Sequence, residues 1–146
     1  MLMKPKYKVG YTTGVYDMFH VGHLNILKNS KKYCKKLVVG LTTDELSFSR
    51  KNKYPIINYE DRKAILLGTK YVDTVIPQKD MDKLTAVKKV NANAVFVGSD
   101  WQWTNSWLEY EEELKKIGVD VIYLQHTDGI SSTILRGKLS NSENNK

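Results

Sequence analysis

Residues 8–27 read KVGYTTGVYDMFHVGHLNIL, and the way this stretch changes character decides the fold. Its first part, KVGYTTG (8–14), is short, carries β-branched residues and ends on a glycine, which reads as a buried strand. From Gly22 onward Leu24 and Leu27 recur at helical spacing, with Cys34 on the same side and lysines elsewhere, which predicts a helix over 22–35. Between strand and helix lies a loop holding His20 and His23, three residues apart with Gly22 between them.

The same alternation continues. KLVVGLTT (36–43), NAVFVGS (93–99) and VDVIYLQ (119–125) read as further buried strands, and DTVIP (73–77) as a weaker fifth ended by Pro77. Their runs are nearly continuous rather than alternating, as expected of strands covered on both faces. Helices are expected at 59–69, at 81–90 and at 103–117, the last with Trp103, Trp107, Tyr110, Leu114 and Ile117 at spacings of four and three and Gly118 as its stop. A final helix starts near SSTILRGKL, with Ser131 or Ser132 as its N-cap. Strands alternating with helices predict an α/β fold: a doubly wound, Rossmann-like, five-stranded parallel sheet with helices on both faces. Ligands bind such sheets beyond the C-terminal strand ends. The loops after the strands at 8–14, 36–43, 93–99 and 119–125 are therefore expected around one cleft.

Bulk properties restrict the function. The chain has 146 residues, the size of one domain, expected over 1–139 with a polar tail at 140–146. Apolar residues make up 41% and charged residues 27%, a soluble globular composition. No apolar run approaches the ~18 residues of a membrane span, and the start lacks a secretory pattern. A single cysteine, Cys34, excludes an internal disulfide framework and any cysteine-based zinc site, and reads as packing. A cytoplasmic setting is expected. The net charge is +7, but the lysines are spread along the chain with no zinc-finger or RNP-type motif, so no nucleic-acid partner and no membrane insertion are expected. Solvated helix surface and small, highly anionic ligands account for the excess.

The loop after the first strand carries the chemistry. A helix N-terminus presents N–H groups and partial positive charge to anions. Gly14 lets the chain leave the strand closely, and Gly22 leaves room at the helix start. His20 and His23 project to one side and donate to phosphate oxygens, better when protonated. The loop has neither G-x-G-x-x-G nor a Walker lysine. A zinc pair is disfavoured because His126 is the only other histidine.

GVYDMFHVGHLNIL resembles the H-x-G-H motif of the nucleotidyltransferase superfamily, with its preceding G-x-[FY]-D. HTDGISSTILR (126–136) resembles the R-T-x-G-I-S-T-T block of cytidylyltransferases that act on glycerol 3-phosphate, choline phosphate and ethanolamine phosphate. TTDE, YEDRKAIL and KYVDTVIP match between them, so the resemblance covers about residues 8–138. Length and arrangement are most like the bacterial glycerol-3-phosphate cytidylyltransferases.

The resemblance implies CTP and a phosphorylated alcohol as substrates, no protein nucleophile, and Mg²⁺ held mainly by phosphates with no direct protein ligand. It implies catalytic roles for His20, His23, Lys51 and Arg62, with Arg62 as a phosphate ligand in the cleft. Asp17 would orient the site or help place the metal, and Lys53 in SRKNKYP (49–55), read as a loop, would reach the phosphates. The nucleotide pocket would further take in Thr13, Gly14, Val15, Tyr16 and Gly22, then Gly98, Asp100 and Trp101. His126, Thr127, Gly129, Ile130, Ser131, Ser132 and Thr133 would complete it. A homodimer is implied through KYVDTVIP, with Asp73 and Asp44 near the contact. His126 stands where the family carries arginine, and Lys70 also replaces an arginine. Choline would need an aromatic cage, for which Tyr54, Tyr59, Trp101, Trp103 and Trp107 are available. A choline- or ethanolamine-phosphate cytidylyltransferase, an adenylyltransferase of the superfamily and a non-catalytic nucleotide-binding module remain alternatives.

Overall fold

The computed structural model describes residues 5–99, 102 and 104–125. In chain order the elements are β1 (Tyr7–Gly14), α1 (Val21–Lys32), β2 (Cys34–Thr42), α2 (Asp44–Lys51), α3 (Tyr59–Leu67), β3 (Thr74–Gln78), α4 (Lys83–Val90), β4 (Ala94–Gly98), α5 (Asn105–Lys116) and β5 (Asp120–Leu124). The strands form one parallel sheet in the order β3-β2-β1-β4-β5. The chain winds outward from β1 to β3, then returns to the other side of β1. The switch point therefore lies between the C-terminal ends of β1 and β4, where such sheets hold ligands.

Both faces of the sheet are covered, as the unbroken apolar runs require. On one face Leu37, Val39 and Leu41 of β2 pack with Leu27 of α1 and Leu66 of α3. On the other, Val38 of β2 packs with Tyr11, Val87 of α4 and Trp107 and Leu114 of α5. The period of two along β2 sends alternate residues to opposite cores. Thr12 ties β1 to β4 by donating its hydroxyl to the Phe96 carbonyl at 2.9 Å.

The helix stop read at Gly118 is present. Gly118 has φ +80, its N–H reaches the Lys115 carbonyl, and the Val119 N–H reaches that of Leu114. These are the two bonds of a Schellman end, and they bring Val119 and Leu114 into the core.

Three elements differ from expectation. Pro77 does not end β3 but lies inside it, tolerated because β3 is an edge strand. Cys34 does not end α1; it opens β2, buried, because α1 stops at Lys32 with Tyr33 as its cap. Residues 49–51 are not loop but the last turn of α2. That helix has little apolar face. It is set by its ends: the Thr43 hydroxyl accepts from the Leu46 N–H, Asp44 and Glu45 occupy its first turn, Arg50 and Lys51 its last, and Asn52 caps it in the left-handed region. The helix expected after Ser131 and the polar tail lie outside the described residues.

Candidate active site

The β1–α1 loop is held in an unusual backbone. Tyr16 has φ 53 and Met18 φ 52, left-handed values that bulky side chains seldom adopt. Strain of this kind persists where the surroundings over-determine it, and here they do. Both carboxylate oxygens of Asp17, between the two strained residues, accept backbone N–H groups from the α2–α3 connection: Ile56 to Oδ2 and Ile57 to Oδ1, each at 2.9 Å. The Tyr16 ring folds back over β1. A Cβ on Gly14 would stand 2.7 Å from that ring, so the missing side chain makes room for Tyr16.

The loop delivers His20 to the N-cap of α1, and the histidines form a reciprocal cap. His20 Nδ1 accepts from the Gly22 N–H at 3.0 Å, and His23 Nδ1 accepts from the His20 N–H at 3.3 Å. The arrangement follows the capping box, with imidazoles in place of the usual hydroxyl and carboxylate. It also assigns the tautomers. With each Nδ1 engaged as an acceptor, each neutral ring carries its proton on Nε2, as a donor facing away from the helix backbone. The rings stack at 3.9 Å, and His23 also meets Tyr16 edge-on and Phe19. His20 Nε2 is buried and has no partner among the described residues. A donor buried in this way costs stability unless a ligand meets it.

Both imidazoles are neutral in the free protein. Burial lowers the pKa of His20. Burial, then the neighbouring His20, pull His23 down to about 4, with Asp17 opposing. A phosphate bound beside the two rings would raise both pKa values.

Seven of the residues singled out in the sequence line one cavity of about 470 Å³: Val15, Tyr16, Asp17, His23, Lys51, Lys53 and Tyr54. Lys51 and Lys53 are exposed at its mouth, on either side of the Asn52 cap. His20 stacks on His23 beside it. Thr13 and Gly14 end β1 and Gly98 ends β4, flanking the switch point. Gly22 is buried with its N–H turned to His20, so it serves the cap. Asp100, Trp101, His126, Thr127, Gly129, Ile130, Ser131, Ser132 and Thr133 lie outside the described residues.

Arg62 differs most from its expected role. It is 1% exposed and behaves as a clamp. Its Nε donates to the Ile57 carbonyl, its Nη1 to those of Val15 and Thr42, and its Nη2 to Asp44. One guanidinium of α3 thus joins the β1–α1 loop, the end of β2, the start of α2 and the α2–α3 connection. Four of its five N–H groups are spent on the chain, which shapes the cavity wall and leaves little for a phosphate. Asp44 accordingly sits in this clamp, and Asp73 accepts from Lys31 and the Leu37 N–H.

Sequence reading passed over Lys83, the first residue of α4. It is 7% exposed and points at the end of β1, donating to the Thr13 hydroxyl at 3.1 Å. A signal existed: Lys83 stands four residues before Val87 and so falls on the buried stripe of α4.

Metal-ligand chemistry is sparse here. Among the described residues no three histidine, cysteine or acidic side chains converge. Asp17 is already bonded by two N–H groups.

Comparison with known proteins agrees with the fold. The model of the Cytidylyltransferase-like family matches residues 11–138. Glycerol-3-phosphate cytidylyltransferase of Staphylococcus aureus is 36% identical over 129 residues, covering 88% of this chain and 92% of that protein. An FAD synthase of Thermococcus sibiricus is 33% identical over 127 residues, covering 86% of this chain and 85% of that one. Among solved structures, the lipopolysaccharide core biosynthesis protein of Thermoplasma volcanium superposes with a TM-score of 0.68 at 28% identity, over 83% of this chain and 97% of that one. The family match over most of the chain and the identity to curated relatives show that this chain belongs to the cytidylyltransferase-like family of nucleotidyltransferase enzymes.

Proposed function

We propose that the chain transfers CMP from CTP to glycerol 3-phosphate, giving CDP-glycerol and pyrophosphate. A phosphate oxygen of the acceptor attacks the α-phosphorus in line, the bond to the β-phosphate oxygen breaks, and pyrophosphate leaves with that electron pair. No protein nucleophile is needed, so the protein contributes position and charge stabilisation. The observation that carries the reading is the imidazole pair: two fixed Nε2–H donors, one of them buried without a partner among the described residues. Donors of this kind, aimed where charge develops on a phosphoryl group, lower the barrier without reorganising. Lys51 and Lys53 at the cavity mouth attract the triphosphate and take up charge on the leaving pyrophosphate. Mg²⁺ would enter with CTP, held mainly by phosphate oxygens.

Of the aromatic side chains a choline cage would draw on, Tyr54 lines the cavity, stacked on Phe48, while two others already face cations, which favours a polyol acceptor. The Trp107 ring already faces Lys83 Nζ at 5.2 Å, and the Tyr59 ring faces the Arg62 guanidinium at 5.8 Å. Neither is free to build a cage for choline. The curated relatives named for glycerol 3-phosphate support the same choice. The FAD synthase relatives support a second reading, adenylyl transfer from ATP to a flavin phosphate. We further infer a homodimer through KYVDTVIP, which leads into β3, an edge strand of the sheet. A cytoplasmic setting, where CTP is made, is part of the same reading.

The test is a matrix of CTP, ATP, UTP and GTP against glycerol 3-phosphate, choline phosphate, ethanolamine phosphate and flavin mononucleotide with Mg²⁺, scored by pyrophosphate release. CTP with glycerol 3-phosphate is the expected pair. Release only with ATP and the flavin establishes the second reading, and no release with any pair removes both.

A further inference from the structure

The excess charge of the chain is confined to its first 43 residues. Residues 1–43 hold eight lysines and one acid, Asp17; residues 44–146 hold the remaining fifteen basic and fifteen acidic side chains, which cancel. Spread in sequence, those lysines converge in the fold. In a parallel sheet with crossover helices each helix ends where the next strand starts, so the end of α1 meets the starts of β1 and β2. Lys28 and Lys32 stand one turn apart on α1, Lys35 and Lys36 open β2, and Lys6 and Lys8 flank Tyr7 at the start of β1. All six are exposed. Tyr7 pairs with Cys34 and its N–H reaches the Tyr33 carbonyl at 2.8 Å, which fixes the β1 lysines beside those of β2.

Helix dipoles do not account for the group. Lysine in the last turn of a helix answers its partial negative charge, which covers Lys31 and Lys32 but not Lys6, Lys8, Lys35 and Lys36, on or beside strands. Two carboxylates border the patch, and both are engaged: Asp73 by Lys31 and the Leu37 N–H, Asp120 by the Tyr7 hydroxyl. Like charges gathered in this way repel one another, a cost that an anionic partner removes.

The form of the patch selects the partner. Among the described residues both arginines lie elsewhere, on α2 and α3. Lysine ammoniums are hydrated point charges, suited to a diffuse field rather than to bidentate recognition of single phosphates. A nucleic-acid groove takes a helix laid along it or a β-ribbon; here the chain presents helix and strand ends. An anionic lipid leaflet needs no groove, and each lysine near it adds to the attraction. Tyr33, exposed between Lys32 and Lys35, adds a ring with an apolar body and a polar tip, the kind that sits at a bilayer interface.

We propose that this end of the domain docks peripherally on an anionic bilayer surface through these six lysines, with Tyr33 at the interface. The imidazole pair lies beyond the opposite end of β1, a strand of eight residues and roughly 25 Å, so the docked protein keeps its cleft open to solvent. The inference does not depend on which nucleotide or acceptor the chain uses.

The test is co-sedimentation of the full chain with sucrose-loaded vesicles, made of phosphatidylcholine alone or with about one third phosphatidylglycerol. The parent should bind the anionic vesicles at about 0.1 M salt, leave the neutral ones, and be released at about 0.5 M salt, where the field is screened. Lys32→Gln with Lys35→Gln should weaken binding about 10–30-fold. Lys63→Gln with Lys79→Gln removes the same charge from α3 and from the far end of β3, and should weaken it less than about threefold. Thermal melts confirm that each variant is folded, and Lys6→Gln with Lys8→Gln is a second pair on another element with the same expected loss. Absence of binding to the anionic vesicles, or equal losses in the patch pairs and the control pair, overturns the proposal. Tighter binding to a nucleic-acid duplex than to vesicles at equal phosphate concentration, read by fluorescence anisotropy, overturns it as well and makes nucleic acid the partner.

Discussion

The imidazoles of His20 and His23 stack at 3.9 Å with 20° between their planes, and each offers its Nδ1 to a backbone N–H of the α1 cap. The two nitrogens of each ring are thereby divided: Nδ1 holds the helix, and under the proposed function Nε2 serves the substrate.

That division can be tested by separating them. Asparagine at an N-cap and glutamine three residues later reproduce a standard capping box while removing both Nε2–H donors. His20→Asn and His23→Gln should each melt within a few degrees of the parent and each lower kcat about 10²–10³-fold, the usual loss of one preorganised donor. Thermal melts and steady-state rates on the same samples decide. Variants that keep near-parental turnover would remove both rings from the chemistry.

Acid should weaken the fold through His23. Its pKa is about 4 in the folded chain against about 6.5 when unfolded. Between these values the unfolded state binds more protons, so stability falls as pH drops from about 6.5 towards 4 and is insensitive to this group above that window. His20 is shifted in the same direction and adds to the slope. Melting temperature against pH should therefore be flatter for His23→Gln than for the parent between pH 6.5 and 4. Parallel curves would place His23 in a more open setting than the structure gives it.

The strands were legible because burial on both faces leaves unbroken apolar runs, and the loop at 14–23 because histidines at that position have few other uses. Helix α2 was not, since among its buried residues only Leu46 is apolar and its caps do the rest. The strain at Tyr16 and Met18 has no signature in residue type; it is imposed by Asp17 reaching chain almost forty positions away. Arg62 was read as a ligand because a cation in a phosphate site invites that reading. Its clamp depends on carbonyls of Val15 and Thr42, which only the fold brings together. A spacing clue was present for both buried cations: Arg62 precedes buried Leu66 by four, as Lys83 precedes Val87.

If Arg62 is a clamp, removing it costs stability before it costs affinity. Arg62→Met strands the Val15, Thr42 and Ile57 carbonyls and leaves Asp44 without its partner. Loss of a buried, hydrogen-bonded charge typically destabilises by about 3–5 kcal/mol. Urea unfolding should show a midpoint shift of that order. A fully stable variant with a raised KM for CTP would instead return Arg62 to the role of phosphate ligand.

Met18 offers a milder test of the loop. Glycine tolerates its φ of 52 without the Cβ clash, worth about 1–2 kcal/mol, but loses about 0.5–1 kcal/mol through a freer unfolded chain. Met18→Gly should therefore stabilise by up to about 1 kcal/mol while lowering kcat, because the loop that aims His20 is loosened. A destabilised variant would show that the Met18 side chain, half-buried in the loop, contributes more than its backbone costs.

Lys83 makes the last prediction, independent of any substrate. Its folded pKa of about 8 lies below the value near 10.4 of a free lysine. Below pH 8 the ammonium is charged in both states and its full desolvation cost is present. Between about 8 and 10.4 the unfolded state binds more protons, so stability rises with pH through that window. Lys83→Met keeps most of the side-chain volume and removes the charge. At pH 7 and without ligand it should be more stable than the parent by a shift of about two units, on the order of 2–3 kcal/mol. The gap should close as pH rises from 8 to 10. Urea midpoints of both proteins at pH 7, 8.5 and 10 measure this. A variant less stable than the parent at pH 7 without phosphate would mean that the Thr13 and Trp107 contacts already compensate the charge.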